Sequence, residues 1–184
     1  MNVILIGMKH CGKSTIGAAL AARWQCAFYD VDRLMEATYE CGAERRLDVR
    51  EILLELGEDE FRRIEGQVVC ELYLRLSRPE ATAVVALGGR TVLNESVCDL
   101  LSSIGLVVYL EMTPETLFER VARVGLPPFL NSSDPAGHFR SLFEERAPRY
   151  RQLANIVVNV DGLSVQEAVE RIAKLTEEHA HGRK

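Results

Sequence analysis

Short apolar runs recur along the chain between longer stretches whose apolar positions fall three and four residues apart. Val3 to Ile6, Cys26 to Tyr29, Ala83 to Leu87, Leu106 to Leu110 and Ile156 to Val160 are continuous rather than alternating, as in strands buried on both faces. Lys13 to Trp24 is Ala-rich, with Ile16, Ala19, Leu20 and Trp24 at helical spacing. Thr113-Pro114 supplies an N-cap and a proline at the first helical position, leading into a helix over 115–124. Ser164 and Glu167 form a capping box ahead of the stripe Val165, Ala168, Val169, Ile172 and Leu175. Strand and helix in alternation predict an α/β fold: a five-stranded parallel sheet with helices on both faces and right-handed crossovers.

Two stretches break this rhythm. Residues 48–76 are helical by pattern and heavily charged, with Gly57 separating a short helix from a longer one. Residues 125–137 hold three prolines and two glycines and read as a loop, long enough to serve as a lid. No repeat or linker divides the chain, so its 184 residues are expected to form one domain, with a helical acceptor-binding region over about 32–76 and a lid over about 124–138.

Directly after the first apolar run, Gly7-Met8-Lys9-His10-Cys11-Gly12-Lys13-Ser14 matches the phosphate-loop pattern G-x-x-x-x-G-K-[ST] at every fixed position. The strand before it and the helix after it are the context the pattern requires. Its glycines let backbone N–H groups of the loop, including those of Lys9, Cys11 and Thr15 at its end, converge on phosphate oxygens. Lys13 is placed to reach the β- and γ-phosphates, and Ser14 to ligate Mg²⁺. Cys11 occupies a position on which the pattern imposes no residue.

Composition narrows the partners. A net charge of −5 gives no basic face for nucleic acid, and no apolar run approaches the length of a membrane span. The first strand begins too early for a secretory leader, so the expected compartment is the cytoplasm and the expected partners are small molecules bound by a monomer. The five cysteines are scattered without a C-x-x-C pair, which suggests neither disulfides nor zinc, and most are expected to be small core residues.

The acceptor has to be read from elsewhere in the chain. Asp30 and Asp32 follow the second run; if the strand conformation continues, they share a face at the carboxyl edge of the sheet, where open α/β folds bind ligands. One carboxylate could hold the water shell of a metal and the other deprotonate a hydroxyl, although Asp32 could equally cap the next helix. Phe61-Arg62-Arg63-Ile64-Glu65 carries arginines suited to bidentate carboxylate binding. Leu87-Gly88-Gly89-Arg90 permits close backbone approach after the third strand, and Arg146-Ala147-Pro148-Arg149-Tyr150-Arg151 adds three cations before the last.

In this order, the phosphate loop, D-x-D, F-R-R-x-E, L-G-G and R-x-P-x-Y resemble the shikimate kinase family over nearly the whole chain. The resemblance implies a three-layer α/β/α P-loop kinase fold with strand order 2-3-1-4-5. It also implies γ-phosphoryl transfer from ATP to the 3-hydroxyl of shikimate, in the pathway to aromatic amino acids, with Mg²⁺ as cofactor. By it, Lys13 and Ser14 serve ATP and Mg²⁺, Asp30 holds the metal through water, and Asp32 assists proton removal. Arg62, Gly88, Gly89 and Arg146 grip the acceptor, Arg123 meets the nucleotide, and the segment Asp161 to Ser164 completes the adenine side.

Two departures stand out. Family lids carry an Arg before a Pro-Leu-Leu-like segment, whereas Leu126-Pro127-Pro128-Phe129-Leu130 has none and no Lys or Arg occurs between Gly125 and Phe139. Lys9, Arg120 or Arg123 would have to supply the missing cation. Arg90 stands where the family continues its glycine run, beside the acceptor pocket. The alternatives are therefore a kinase for another small hydroxy-carboxylate, such as homoserine, or a nucleotide-binding regulator without turnover.

Overall fold

In the computed structural model, five strands hydrogen-bond in parallel in the order β2-β3-β1-β4-β5. The structure describes residues 1–184 except 44, 79, 127–129, 131–132 and 183–184. The strands are β1 (Val3–Ile6), β2 (Ala27–Asp30), β3 (Ala83–Ala86), β4 (Leu106–Glu111) and β5 (Ile156–Asn159). Every residue of β1 and β3 is buried, which a sheet with one open face would not give. The helices are α1 (Lys13–Trp24), α2 (Val31–Ala43), α3 (Val49–Leu76), α4 (Glu95–Ile104), α5 (Pro114–Val124), α6 (Pro135–Leu153) and α7 (Val165–His181). α1 packs on β3 and α7, α4 on β4 and α3, and α2 on α3.

The start signals act as read. Thr113 accepts from the Thr116 N–H, and Ser164 with Glu167 completes a reciprocal capping box. Asp48 with Glu51 forms a second box at the start of α3, and Gly57, at φ 78° and ψ 175°, interrupts that helix where the sequence places a break.

Several expectations need correction. β2 begins one residue later than its apolar run and ends on Asp30, where α2 takes over at Val31. Asp32 is therefore on a helix, and strand alternation with Asp30 does not apply. The cap of α2 is also Asp30 rather than Asp32: its Oδ1 accepts from the Arg33 N–H at 3.4 Å. The loop over 125–137 stops short, because Asp134 accepts from the Gly137 N–H and Pro135 opens α6; a cap followed by proline is itself a start signal. The centre of the expected lid, at 127–129 and 131–132, lies outside the described residues. Among the cysteines, Cys11 and Cys98 are core residues, but Cys41 and Cys70 are exposed on α2 and α3.

The register levels the strand ends. Asp30 pairs with Ala86 and Ile6 with Tyr109, so the loops after β1 and β3 and the start of α2 emerge along one carboxyl edge. β1 lies between β3 and β4, where successive connections leave in opposite directions, and its loop opens into the crevice this creates.

Candidate active site

The phosphate loop leaves β1 at Gly7, which has φ 145°; a β-carbon there would lie 2.8 Å from the Leu110 carbonyl oxygen. Gly12 enters α1 at φ 102° and offers no side-chain cap. The first-turn N–H groups of α1 therefore face the loop without a capping side chain, the arrangement that binds an anion. Lys13 is buried, and its Nζ donates to the carbonyl oxygens of Gly7 at 2.8 Å and Met8 at 2.9 Å, beside Cys11 Sγ at 3.9 Å. Ser14 and Thr15 are exposed at the start of the helix. His10 has a positive φ, and its carbonyl oxygen accepts from Arg120 Nη1 at 3.3 Å. Burial holds the His10 imidazole below its ordinary pKa, and the charges of Lys9 and Lys13 act in the same direction.

The acceptor side closes against this loop. Gly89 follows β3, and a β-carbon on it would come within 2.9 Å of the Lys9 backbone nitrogen. The Gly89 carbonyl oxygen accepts from the Tyr150 hydroxyl of α6 at 2.5 Å. Beside it, Gly88 leaves room for the Asp32 carboxylate: a β-carbon there would stand 2.6 Å from Oδ1. Burial pushes the Asp32 carboxyl above its usual range, Lys13 and Lys9 oppose this, and Asp30 and Glu36 add to it. Asp32 thus lies within the electrostatic reach of both loop lysines.

α3 is tied to the same edge through Glu65. This carboxylate is buried and accepts from Thr91 Oγ1 at 2.6 Å and Asn94 Nδ2 at 2.9 Å, while Asn94 Nδ2 also donates to the Arg62 carbonyl at 3.0 Å. Burial raises the Glu65 pKa against those two hydrogen bonds, and the nearby Asp32 raises it further. The Arg62 guanidinium is exposed, 3.4 Å from Glu58, which also pairs with Arg90. Burial lowers the Arg90 pKa, and repulsion from Arg146 lowers it further. Arg146 Nε is buried without a hydrogen-bond partner.

Most residues expected at the site converge on this edge: the loop from Gly7 to Thr15, Asp30 and Asp32, Arg62, Gly88, Gly89 and Arg146. Arg123 does not join them. It lies exposed on α5 and pairs with Glu119, and Arg120 is the α5 arginine that meets the phosphate loop. Near the start of α5, Asp161 Oδ2 accepts from the Thr113 N–H at 2.8 Å, and its Oδ1 is buried without a partner.

Sequence reasoning missed Glu58, Thr91 and Asn94. Glu58 precedes Arg62 by one helical turn, a legible i,i+4 signal. Thr91 and Asn94 belong to a short 3-10 turn and its end, and only the fold brings them to Glu65.

A narrow recess of about 10 Å³, room for about one water molecule, lies beside this network, with Phe61 and Leu93 in its wall. The described residues contain no cluster of three or more metal-ligating side chains, and none of their helices is long and apolar enough to cross a membrane.

Residues 9–177 match a family model described as shikimate kinase. The chain is 34% identical over 180 residues to a shikimate kinase of Symbiobacterium thermophilum, covering 97% of each chain. It is 36% identical over 172 residues to one from Francisella tularensis subsp. novicida, covering 94% of this chain and 92% of that one. Among solved structures, shikimate kinase from Acinetobacter baumannii in complex with shikimate superposes with a TM-score of 0.82 at 29% identity, over 97% of this chain and 93% of that one. The enzyme from Bacteroides thetaiotaomicron gives a TM-score of 0.80 at 26% identity, over 96% and 98%.

Proposed function

The chain belongs to the shikimate kinase family and is an ATP-dependent kinase; from that premise we propose that it transfers the γ-phosphoryl group of ATP to the 3-hydroxyl of shikimate. The observation that carries the reading is the contact of the two half-sites. The Lys9 backbone of the phosphate loop abuts Gly89 of the acceptor loop, and Asp32 lies against Gly88 within reach of the Lys13 charge.

On this reading, the first-turn N–H groups of α1 and the loop backbone hold the ATP phosphates. Lys13 exchanges the carbonyl oxygens of Gly7 and Met8 for phosphate oxygens, so the loop has a prepared cation that needs no unfolding to release. Asp32 accepts the proton of the acceptor hydroxyl, and Arg62 and Arg146 take its carboxylate. The unpartnered Arg146 Nε is a donor that an acceptor would satisfy.

The donor set suits Mg²⁺. This ion keeps most of its waters and takes only one or two protein ligands beside the phosphates, a role open to the exposed Ser14 hydroxyl at the start of α1. Ser14 would ligate it directly and Asp30 through water. When bound, it neutralises charge on the phosphates. Arg120, held at the loop through the His10 carbonyl, supplies the cation that the lid sequence lacks.

A coupled ADP-release assay with ATP·Mg²⁺ against shikimate, homoserine and other hydroxy acids tests the reading. Turnover with shikimate is expected. Turnover restricted to another acceptor, or tight ATP binding without turnover, would overturn it.

A further inference from the structure

Glu58 stands between two guanidinium groups. Its carboxylate lies 3.4 Å from Arg62 Nε on the next turn of α3 and pairs with Arg90 Nη2 from the segment after β3. All three side chains border the recess beside the acceptor loop. A carboxylate shared by two arginines at this place contests Arg62 with any acceptor carboxylate that arrives. The backbones on either side are fixed: the Arg62 carbonyl is held by Asn94, and the Arg90 carbonyl opens the 3-10 turn by accepting from the Leu93 N–H. Exchange of partners is thus a matter of side chains alone. The three groups are 47%, 48% and 37% exposed for Arg62, Glu58 and Arg90, so the exchange buries no isolated charge.

We propose that Arg90 is a positioning residue that retains Glu58 and so frees Arg62 for the acceptor's carboxylate. The proposal rests on the acceptor reading above, in which Arg62 binds that carboxylate. With Arg90 present, Glu58 keeps a cation after the exchange and no carboxylate is left without one. With Arg90 removed, Glu58 falls back on Arg62 and competes with the acceptor for the same guanidinium. Repulsion from Arg146 favours the same outcome, because it presses Arg90 toward an anion within its reach.

The test is a double-mutant cycle on the full chain with Arg90→Ala, Glu58→Gln and the pair, read as steady-state ADP release with shikimate and as calorimetric shikimate binding. For a partly exposed ion pair, Arg90→Ala is expected to raise the shikimate KM about threefold to fivefold with kcat and the ATP KM nearly unchanged. Glu58→Gln should lower KM more in the Arg90→Ala background than in the wild type, and Arg90→Lys should retain most of the wild-type KM. An unchanged or lowered KM in Arg90→Ala, or an equal effect of Glu58→Gln in both backgrounds, overturns the proposal while wild-type turnover leaves the acceptor reading standing. A wild type that neither binds nor phosphorylates shikimate overturns both.

Discussion

Asp32 Oδ1 lies so close to Gly88 that a β-carbon at that glycine would stand 2.6 Å from it. The carboxylate therefore holds its place because residue 88 has no side chain. Gly88→Ala is expected to displace Asp32 and lower kcat about 10²-fold, the scale of an ångström-level misplacement of a catalytic group. ATP affinity, measured by calorimetry, should remain within about twofold, because the phosphate loop is untouched.

Ionised Asp32 is costly to the fold and necessary to the reaction. Its pKa is raised chiefly by burial, so the folded chain binds this proton more tightly than the unfolded chain does. The penalty is absent at pH below the ordinary carboxylate range, grows as pH rises from that range to the raised value, and is constant above it. Asp32→Asn is thus expected to raise Tm at neutral pH by about 2 °C, with the gain vanishing on acidification, while kcat collapses. In the wild type, the acid limb of kcat/KM, which reports groups of the free enzyme, should lie above the ordinary carboxylate range. A Tm lowered by Asp32→Asn at pH 7 would contradict the assignment.

Arg120 and Arg123 are one helical turn apart and serve different surroundings. Arg120 donates to the His10 carbonyl of the phosphate loop, whereas Arg123 is exposed beside Glu119. Arg120→Ala is expected to lower kcat by roughly 10²-fold or more, toward the range of a lost transition-state arginine. Arg123→Ala should change kcat less than about twofold. Single-turnover rates with saturating ATP separate the two outcomes.

Tyr150 joins α6 to the acceptor loop. Its buried hydroxyl donates to the Gly89 carbonyl, and its ring stacks on Tyr109 with centroids 5.1 Å apart. Tyr150→Phe keeps the stack and strands the carbonyl, at a cost of about 1–2 kcal/mol, or a Tm lower by about 4 °C. Thermal unfolding monitored by circular dichroism measures this directly.

The sheet was legible wherever burial on both faces left an uninterrupted apolar run, as in Val3 to Ile6, whose limits are those of β1. It was less legible at Asp30 and Asp32. Strand and helix meet there without a turn, so a two-residue spacing that fits a strand face belongs instead to a strand end and a helix start. The prolines near the start of α6 invited a loop reading, although Asp134-Pro135 is a helix start. The turn of the phosphate loop was legible because its glycines are contiguous with it in sequence, and Gly7 and Gly12 carry the positive φ values. The acceptor network was not: Thr91 and Asn94 reach Glu65 across 26 and 29 residues, a separation that carries no periodic signal. The family resemblance pointed to Arg123 for the nucleotide, and only the rotation of α5 against His10 brings Arg120 to the phosphate loop instead.

Transfer to the 3-hydroxyl is read from the ³¹P and ¹H NMR spectrum of the product formed from ATP, Mg²⁺ and shikimate by the full chain. A single phosphate monoester coupled to the proton on carbon 3 is expected, formed together with ADP and absent with Asp32→Asn. Hydrolysis of ATP to free phosphate without an ester, or an ester on another oxygen, would contradict it.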